Sequence, residues 1–140
     1  MNYVRKRMKQ SKKKGKSEIS KAIVRADRWF NKYICLRDKS CIISGESDNL
    51  QCSHFYGKKA CPNVRYDEMN AHAMTTRTHY KHHKFDDGTY FDWMREHYTK
   101  EELDELQLRA HLVAKHDLEY YKFIEGKYKK LVEEIENRLD

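Results

Sequence analysis

No apolar run in this sequence is long enough to cross a membrane. The opening residues, MNYVRKRMKQ, carry positive charge but lead into no apolar segment, so no secretory signal is expected. There is no internal repeat and no P-loop, and the single proline, Pro62, sits in a loop between Lys58 and Asn63. The composition is poor in apolar residues, with a mean hydropathy of −1.06 and 36% charged residues, so the core is expected to be modest. A reducing, cytoplasmic setting is expected, which makes Cys35, Cys41, Cys52 and Cys61 free thiols or metal ligands rather than disulfides. One further absence is local. Residues 70–84, NAHAMTTRTHYKHHK, hold four of the eight histidines but no cysteine and no carboxylate, the usual companions of histidine around a metal.

The net charge of +7 is unevenly placed. Residues 1–16 contain eight Lys and Arg, including Lys12, Lys13 and Lys14, and no acid. That segment is therefore +8, and residues 17–140 sum to −1. Like charges at this density repel and resist ordering, so 1–16 reads as a disordered basic arm. Its natural partner is a polyanion, because neutralised phosphates release counterions. The plainer alternative is a solubilising tail.

Residues 17–140 read as one domain. Ser17 caps an amphipathic helix with Ile19, Ile23, Ala26, Phe30, Tyr33 and Ile34 at helical spacing, and Asp38-Lys39-Ser40 ends it. Two short apolar runs, Cys41–Ile43 and Leu50–Tyr56, flank Gly-Glu-Ser-Asp-Asn and predict a hairpin. A helix is expected from about Met74 to Lys84, ended by Asp86-Asp87-Gly88, and another over Thr89–Tyr98. Thr99 and Glu102 form a capping box, and Asp117 to Leu139 reads as a last helix. Residues 101–140 hold eleven acids against seven bases, which suits a scaffold or a protein partner rather than phosphate.

The order of the middle segment is strand, His54, loop, Asn70, then a helix with His79 nine residues on. This resembles the ββα plan of the HNH nucleases. Phosphodiester cleavage needs a base for water and a cation for the developing charge, both held still. In that scheme His54 is the base, Asn70 hydrogen-bonds across the loop to hold it, and His79 binds metal. His83, one turn from His79, is a second ligand; His82 cannot point the same way, and His72 stays unassigned. Lys58, Lys59, Arg65, Arg77 and Lys81 are the basic neighbours, with Arg65 or Arg77 as a phosphate clamp. Taken singly, His54 would read as a half-buried strand histidine, Asn70 as a helix cap, and the helical histidines as a solvated face.

The run from FNKYICLRD through CIISG, CSHFY and NVRYDEMNAH to KHHK is similar to the phage NinG/Rap recombination family, most clearly over residues 27–85. Arg65, Tyr66, Asp67, Glu68, Asn70 and His72 match that family's R-[FY]-[ND]-E-x-N-x-H segment, and His54 matches its strand-end histidine. The resemblance implies an α+β, mainly helical protein: a small ββα-metal core at about 41–85, flanked by an N-terminal helix and a C-terminal helical part over 89–140. It implies a metal-dependent endonuclease, using Mg²⁺ or Mn²⁺, that acts on branched recombination intermediates in the host cytoplasm. Of four family zinc cysteines only Cys41 remains; Ser44, Thr75 and Thr78 take the other places, so no structural zinc is expected. A rewired zinc site from Cys41, Cys52 and Cys61 has spacings that fit no compact knuckle.

The residue before His54 is Ser53, not an acid, so carboxylates are scarce around the metal. Substrate phosphate, water, Asp48, Asp67 or Glu68 would complete its sphere. The expected function is therefore an HNH-type DNA endonuclease with no membrane partner. The rivals are a catalytically impaired nucleic-acid-binding accessory protein, and a helical protein whose acidic end binds a recombination partner.

Overall fold

The computed structural model describes residues 17–85 and 88–139. The basic arm, with Lys12, Lys13 and Lys14, lies outside the described residues, as do Asp86 and Asp87. The described chain is mainly helical around a two-stranded antiparallel sheet. Helix α1 spans Glu18–Asp38, strands β1 and β2 span Leu50–His54 and Ala71–Thr75, and α2 follows β2 directly over Thr76–Phe85. Helices α3, α4 and α5 cover Thr89–His97, Lys100–His111 and Leu118–Leu139. No described helix is long and apolar enough to cross a membrane.

Helix α1 forms where its pattern places it. Ser17 accepts a hydrogen bond from the Ser20 amide, and Lys39 closes the helix in a left-handed conformation with φ 65°. Its buried stripe is Ala22, Ala26, Phe30 and Ile34, spaced four apart, while Ile19 lies toward solvent. Helix α5 packs along it. Arg25 pairs with Glu125 at 3.1 Å and Lys32 with Glu136 at 2.7 Å, so the two helices run in the same direction. Phe30 meets Tyr66 and Tyr128 edge-on at 5.5 and 4.9 Å, the arrangement that ring quadrupoles favour. Ala71 and Cys52 join this cluster from one face of the sheet. Met74, from the other face, joins Tyr90, Met94 and Leu106 of α3 and α4.

Two sequence expectations change here. Cys41–Ile43 is not a strand paired with Leu50–Tyr56. The segment turns tightly, Gly45 donating to the Cys41 carbonyl at φ 75°, and it meets the sheet through the Ile42 amide, which donates to the Ala73 carbonyl. The partner of β1 is β2, with Leu50 opposite Thr75 and His54 opposite Ala71. Residues 74–75, expected to open a helix, belong to that strand. All five β2 residues are buried, so the alternation that would mark a half-exposed strand is missing.

His72 sits at the centre of the second cluster. The Tyr90 hydroxyl donates its single proton to the Ser53 carbonyl at 3.2 Å, so it accepts from His72 Nδ1 at 2.7 Å. Nε2 then accepts from the Tyr98 hydroxyl at 2.8 Å. Burial, with the nearby Arg37 charge, pushes the His72 pKa down to about 3. A histidine neutral when folded and protonated when unfolded costs stability as pH falls below its ordinary value near 6.5. We expect a loss of roughly 2 to 3 kcal/mol between about pH 6.5 and 4.5 from this residue. Urea unfolding at the two pH values measures it, and His72→Gln, which bridges without titrating, should flatten the change.

Candidate active site

The site is built where β1 ends. Residues 55–70 leave the sheet at His54 and return at Ala71, directly opposite it. Asn70 closes that loop. It is fully buried, its Oδ1 accepts from the Tyr56 amide at 2.8 Å, and its Nδ2 donates to the Tyr56 and Val64 carbonyls at 3.0 and 2.9 Å. The next carbonyl, that of Arg65, receives the His54 ring at 2.8 Å through Nε2. A carbonyl can only accept, so Nε2 carries the proton and Nδ1 carries the lone pair. The hydrogen bonds of the Asn70 side chain thus go to the loop rather than to His54, and they fix the loop whose carbonyl selects the tautomer. Burial, reinforced by Lys58 and Arg65, lowers the His54 pKa against the raising effect of the Arg65 carbonyl. His54 is neutral at pH 7, the state a proton acceptor needs.

Helix α2 faces this corner with His79. Thr75 Oγ1 accepts from the Thr78 amide at 3.2 Å and so caps the helix. His79 and His83, one turn apart, have ring centroids 4.3 Å from each other. Burial pushes His79 down to about 4, and His83, His82, His54 and Lys58 all oppose its protonation. Its Nδ1 is buried without a hydrogen-bond partner; among the described residues, Ser53 Oγ is the other such side-chain atom. A neutral ring whose buried nitrogen has no partner can offer that nitrogen to a cation. His82 turns away to Tyr90, with centroids 5.0 Å apart.

Two of the three carboxylates named from sequence are occupied elsewhere. Asp67 accepts from Arg109 at 2.7 Å and from the Met69 amide, and Glu68 accepts from Tyr33 and Tyr128 at 2.9 and 3.2 Å. Asp48 is exposed. Among the described residues no three His, Cys, Asp or Glu gather around one point.

The basic residues divide. Arg65 is not offered as a phosphate clamp: its Nε and Nη2 reach Asp27 of α1 at 2.8 and 2.5 Å, and Tyr66 donates to the same carboxylate at 2.9 Å. Arg77 and Lys81 are exposed but stand two residues from His79 and His83. Two residues turn a helix by about 200°, so they lie on its far side. Lys58, in the loop just after His54, is the cation whose charge reaches His54 and His79. Lys58 lies 3.9 Å from Asp27, and Lys59 is exposed. The hub at Asp27 left no mark in the sequence, because 38 residues separate it from Arg65.

Cys41, Ser44, Thr75 and Thr78 come together beside α2. The Cys41 sulfur accepts from the Ser44 amide at 3.4 Å, and Thr75 Oγ1 donates to Thr78 Oγ1 at 3.0 Å. Burial raises the Cys41 pKa, but donors from Ser44 and from the Thr75 backbone outweigh it and hold the thiol at about 7. One thiol and three hydroxyls make a poor zinc set. Elemental analysis of purified protein should find well under one zinc per chain after brief dialysis against chelator; stoichiometric zinc would contradict this reading. A cleft of about 520 Å³ lies elsewhere, between Phe55 and Tyr56, α3 and the start of α4. No family model matches this sequence, and no curated protein or solved structure matches it either.

Proposed function

We propose that this chain is a metal-dependent DNA endonuclease of HNH type, acting on branched or recombination-intermediate DNA, with β1, β2 and α2 as its ββα-metal core. The observation that carries the reading is the His54 tautomer. Its Nε2–H is fixed by a backbone carbonyl, which leaves a neutral Nδ1 beside a helix that presents His79. In this scheme His54 Nδ1 takes a proton from water as the water oxygen attacks phosphorus and the leaving oxygen departs with its bonding pair. Asn70 and the Arg65 carbonyl keep the ring aimed. Lys58 and Lys59 attract the phosphate backbone, and the basic arm adds sequence-independent affinity. His79 and His83 hold the divalent cation, which when bound would offset charge on the phosphate. His79 suits that task because its Nδ1 is unpartnered and its ring is neutral.

Supercoiled plasmid and branched duplexes, incubated with protein and Mg²⁺, Mn²⁺ or Co²⁺ and then with EDTA, test the reading. Nicks that require metal and vanish in His79→Ala support it. The rival reading, a nucleic-acid binder without catalysis, is favoured by one observation, that Asp67 and Glu68 are tied to Arg109, Tyr33 and Tyr128. It requires salt-sensitive binding with no nicking in any metal.

A further inference from the structure

The cleft of about 520 Å³ between the end of β1, α3 and α4 has no part in the nuclease reading. Phe55, Tyr56, Phe91, Tyr98 and Leu103 line it, and Phe91 is 51% exposed. Phe55 and Phe91 stack with ring centroids 6.3 Å apart, and the Arg95 guanidinium lies over Phe91 at 5.6 Å. Such a lining accepts apolar side chains and, over its ring faces, cations. The charge around it is negative. Residues 89–111 hold six acids against three bases, a net −3, and Asp92, Glu96, Glu101 and Glu105 are exposed. Two of those bases are committed: Lys100 pairs with Asp104 at 3.0 Å and Arg109 with Asp67 at 2.7 Å. A phosphate would meet repulsion here, whereas a basic segment with apolar anchors matches both the rings and the acids.

We infer that this cleft docks residues 3–9 of the chain's own basic arm, YVRKRMK, and that a polyanion displaces them. Tyr3, Val4 and Met8 supply the apolar anchors, and Arg5, Lys6, Arg7 and Lys9 run among them. The chain is long enough. Helices α1 and α5 lie side by side with Arg25 level with Glu125, so Ser17 adjoins the first turn of α5. The link from α5 back to α4 is drawn in at Asn63, which bonds to the Leu112 carbonyl and to the His116 ring. Gln107, in the wall of the cleft, is then no more than about 40 Å from Ser17. Val4 precedes Ser17 by thirteen residues, which extend to roughly 43 Å. Attachment to the same chain gives the arm an effective concentration of about millimolar, so a weak contact suffices. Docking and DNA binding compete, because both use the same arginines and lysines. The surface lies apart from His54 and His79, and the inference does not require the chain to cut DNA.

The full chain carrying Tyr3→p-benzoylphenylalanine is irradiated at micromolar concentration, and the adducts are mapped by mass spectrometry. We expect adducts within single molecules, on peptides that contain Phe55 and Tyr56 or residues 91–107. They should fall severalfold in about 1 M salt, which shortens the screening length to about 3 Å, and on addition of duplex DNA or heparin. Phe91→Ala removes an exposed ring and no charge, and Glu101→Gln with Glu105→Gln removes two exposed charges from α4. Each variant should lose most of the adducts. Phe91→Ala should also tighten duplex binding by about threefold in anisotropy, since more arms are free to bind DNA. Adducts on another face, adducts only between molecules, or no adducts at all would overturn the inference. So would an adduct pattern that both variants leave unchanged. Weaker duplex binding in Phe91→Ala would assign the cleft to a DNA base and overturn it as well. A chain that docks its arm but cuts nothing would keep this inference and remove the nuclease; cutting without docking would do the reverse.

Discussion

His54→Ala is expected to lower the single-turnover rate of DNA cleavage by about 10²- to 10⁴-fold, the usual worth of a positioned base. DNA affinity should stay within about twofold, because the side chain carries no charge at neutral pH and makes no phosphate contact in this account. The fold should survive, since the ring is half-buried at the sheet's end and its one hydrogen bond reaches a carbonyl that water can serve. Added imidazole offers the discriminating readout: partial recovery of rate in His54→Ala identifies a proton acceptor, which a merely structural histidine would not show. The pH profile gives a second. The lowered pKa of His54 keeps the base deprotonated below the ordinary histidine value, so the acid limb of the wild-type rate should lie below about pH 6.5.

Asn70→Ala should have the largest effect on the fold. The side chain is completely buried and satisfies the Tyr56 amide, the Tyr56 carbonyl and the Val64 carbonyl. Removing it leaves three buried backbone groups without partners, at about 1–3 kcal/mol each before relaxation. We expect a loss of about 3 to 5 kcal/mol in urea unfolding, a large share of the stability of a domain this size. Activity should fall even at temperatures where the variant is folded, because the Arg65 carbonyl that fixes the His54 tautomer is carried by the loop Asn70 closes. Asn70→Asp keeps the acceptor and loses both donors, so it should rescue little. A stability change below about 1 kcal/mol would show that the loop is held by other means.

The parts of this molecule legible in the sequence are those in which neighbours in the chain are neighbours in space. The Ser17 cap, the α1 stripe and the Thr99–Glu102 box follow from offsets of three and four residues. The same offset put His79 and His83 on one face and turned His82 from it. Where long-range contacts decide, the reading falters. Strand β2 is buried on both faces, so AHAMT carries no alternation, and the pairing of β1 moved from Cys41–Ile43 to a partner across the intervening residues 55–70. Arg65 looks like a phosphate ligand until Asp27 arrives from α1. The atom that matters from Arg65 is its backbone carbonyl, which no side-chain pattern can announce. His72, with no role readable from the sequence, proved to be a core residue bridged by two tyrosines from α3 and its C-terminal cap.

The most direct measurement is single-turnover cleavage of an end-labelled branched duplex by excess wild-type protein, with Mn²⁺ or Co²⁺ present and then chelated. The account requires cut strands that accumulate with metal, stop with EDTA, and are absent at matched DNA occupancy in His54→Ala. Tight, salt-sensitive binding of that duplex with every strand intact, in each divalent metal, would contradict it.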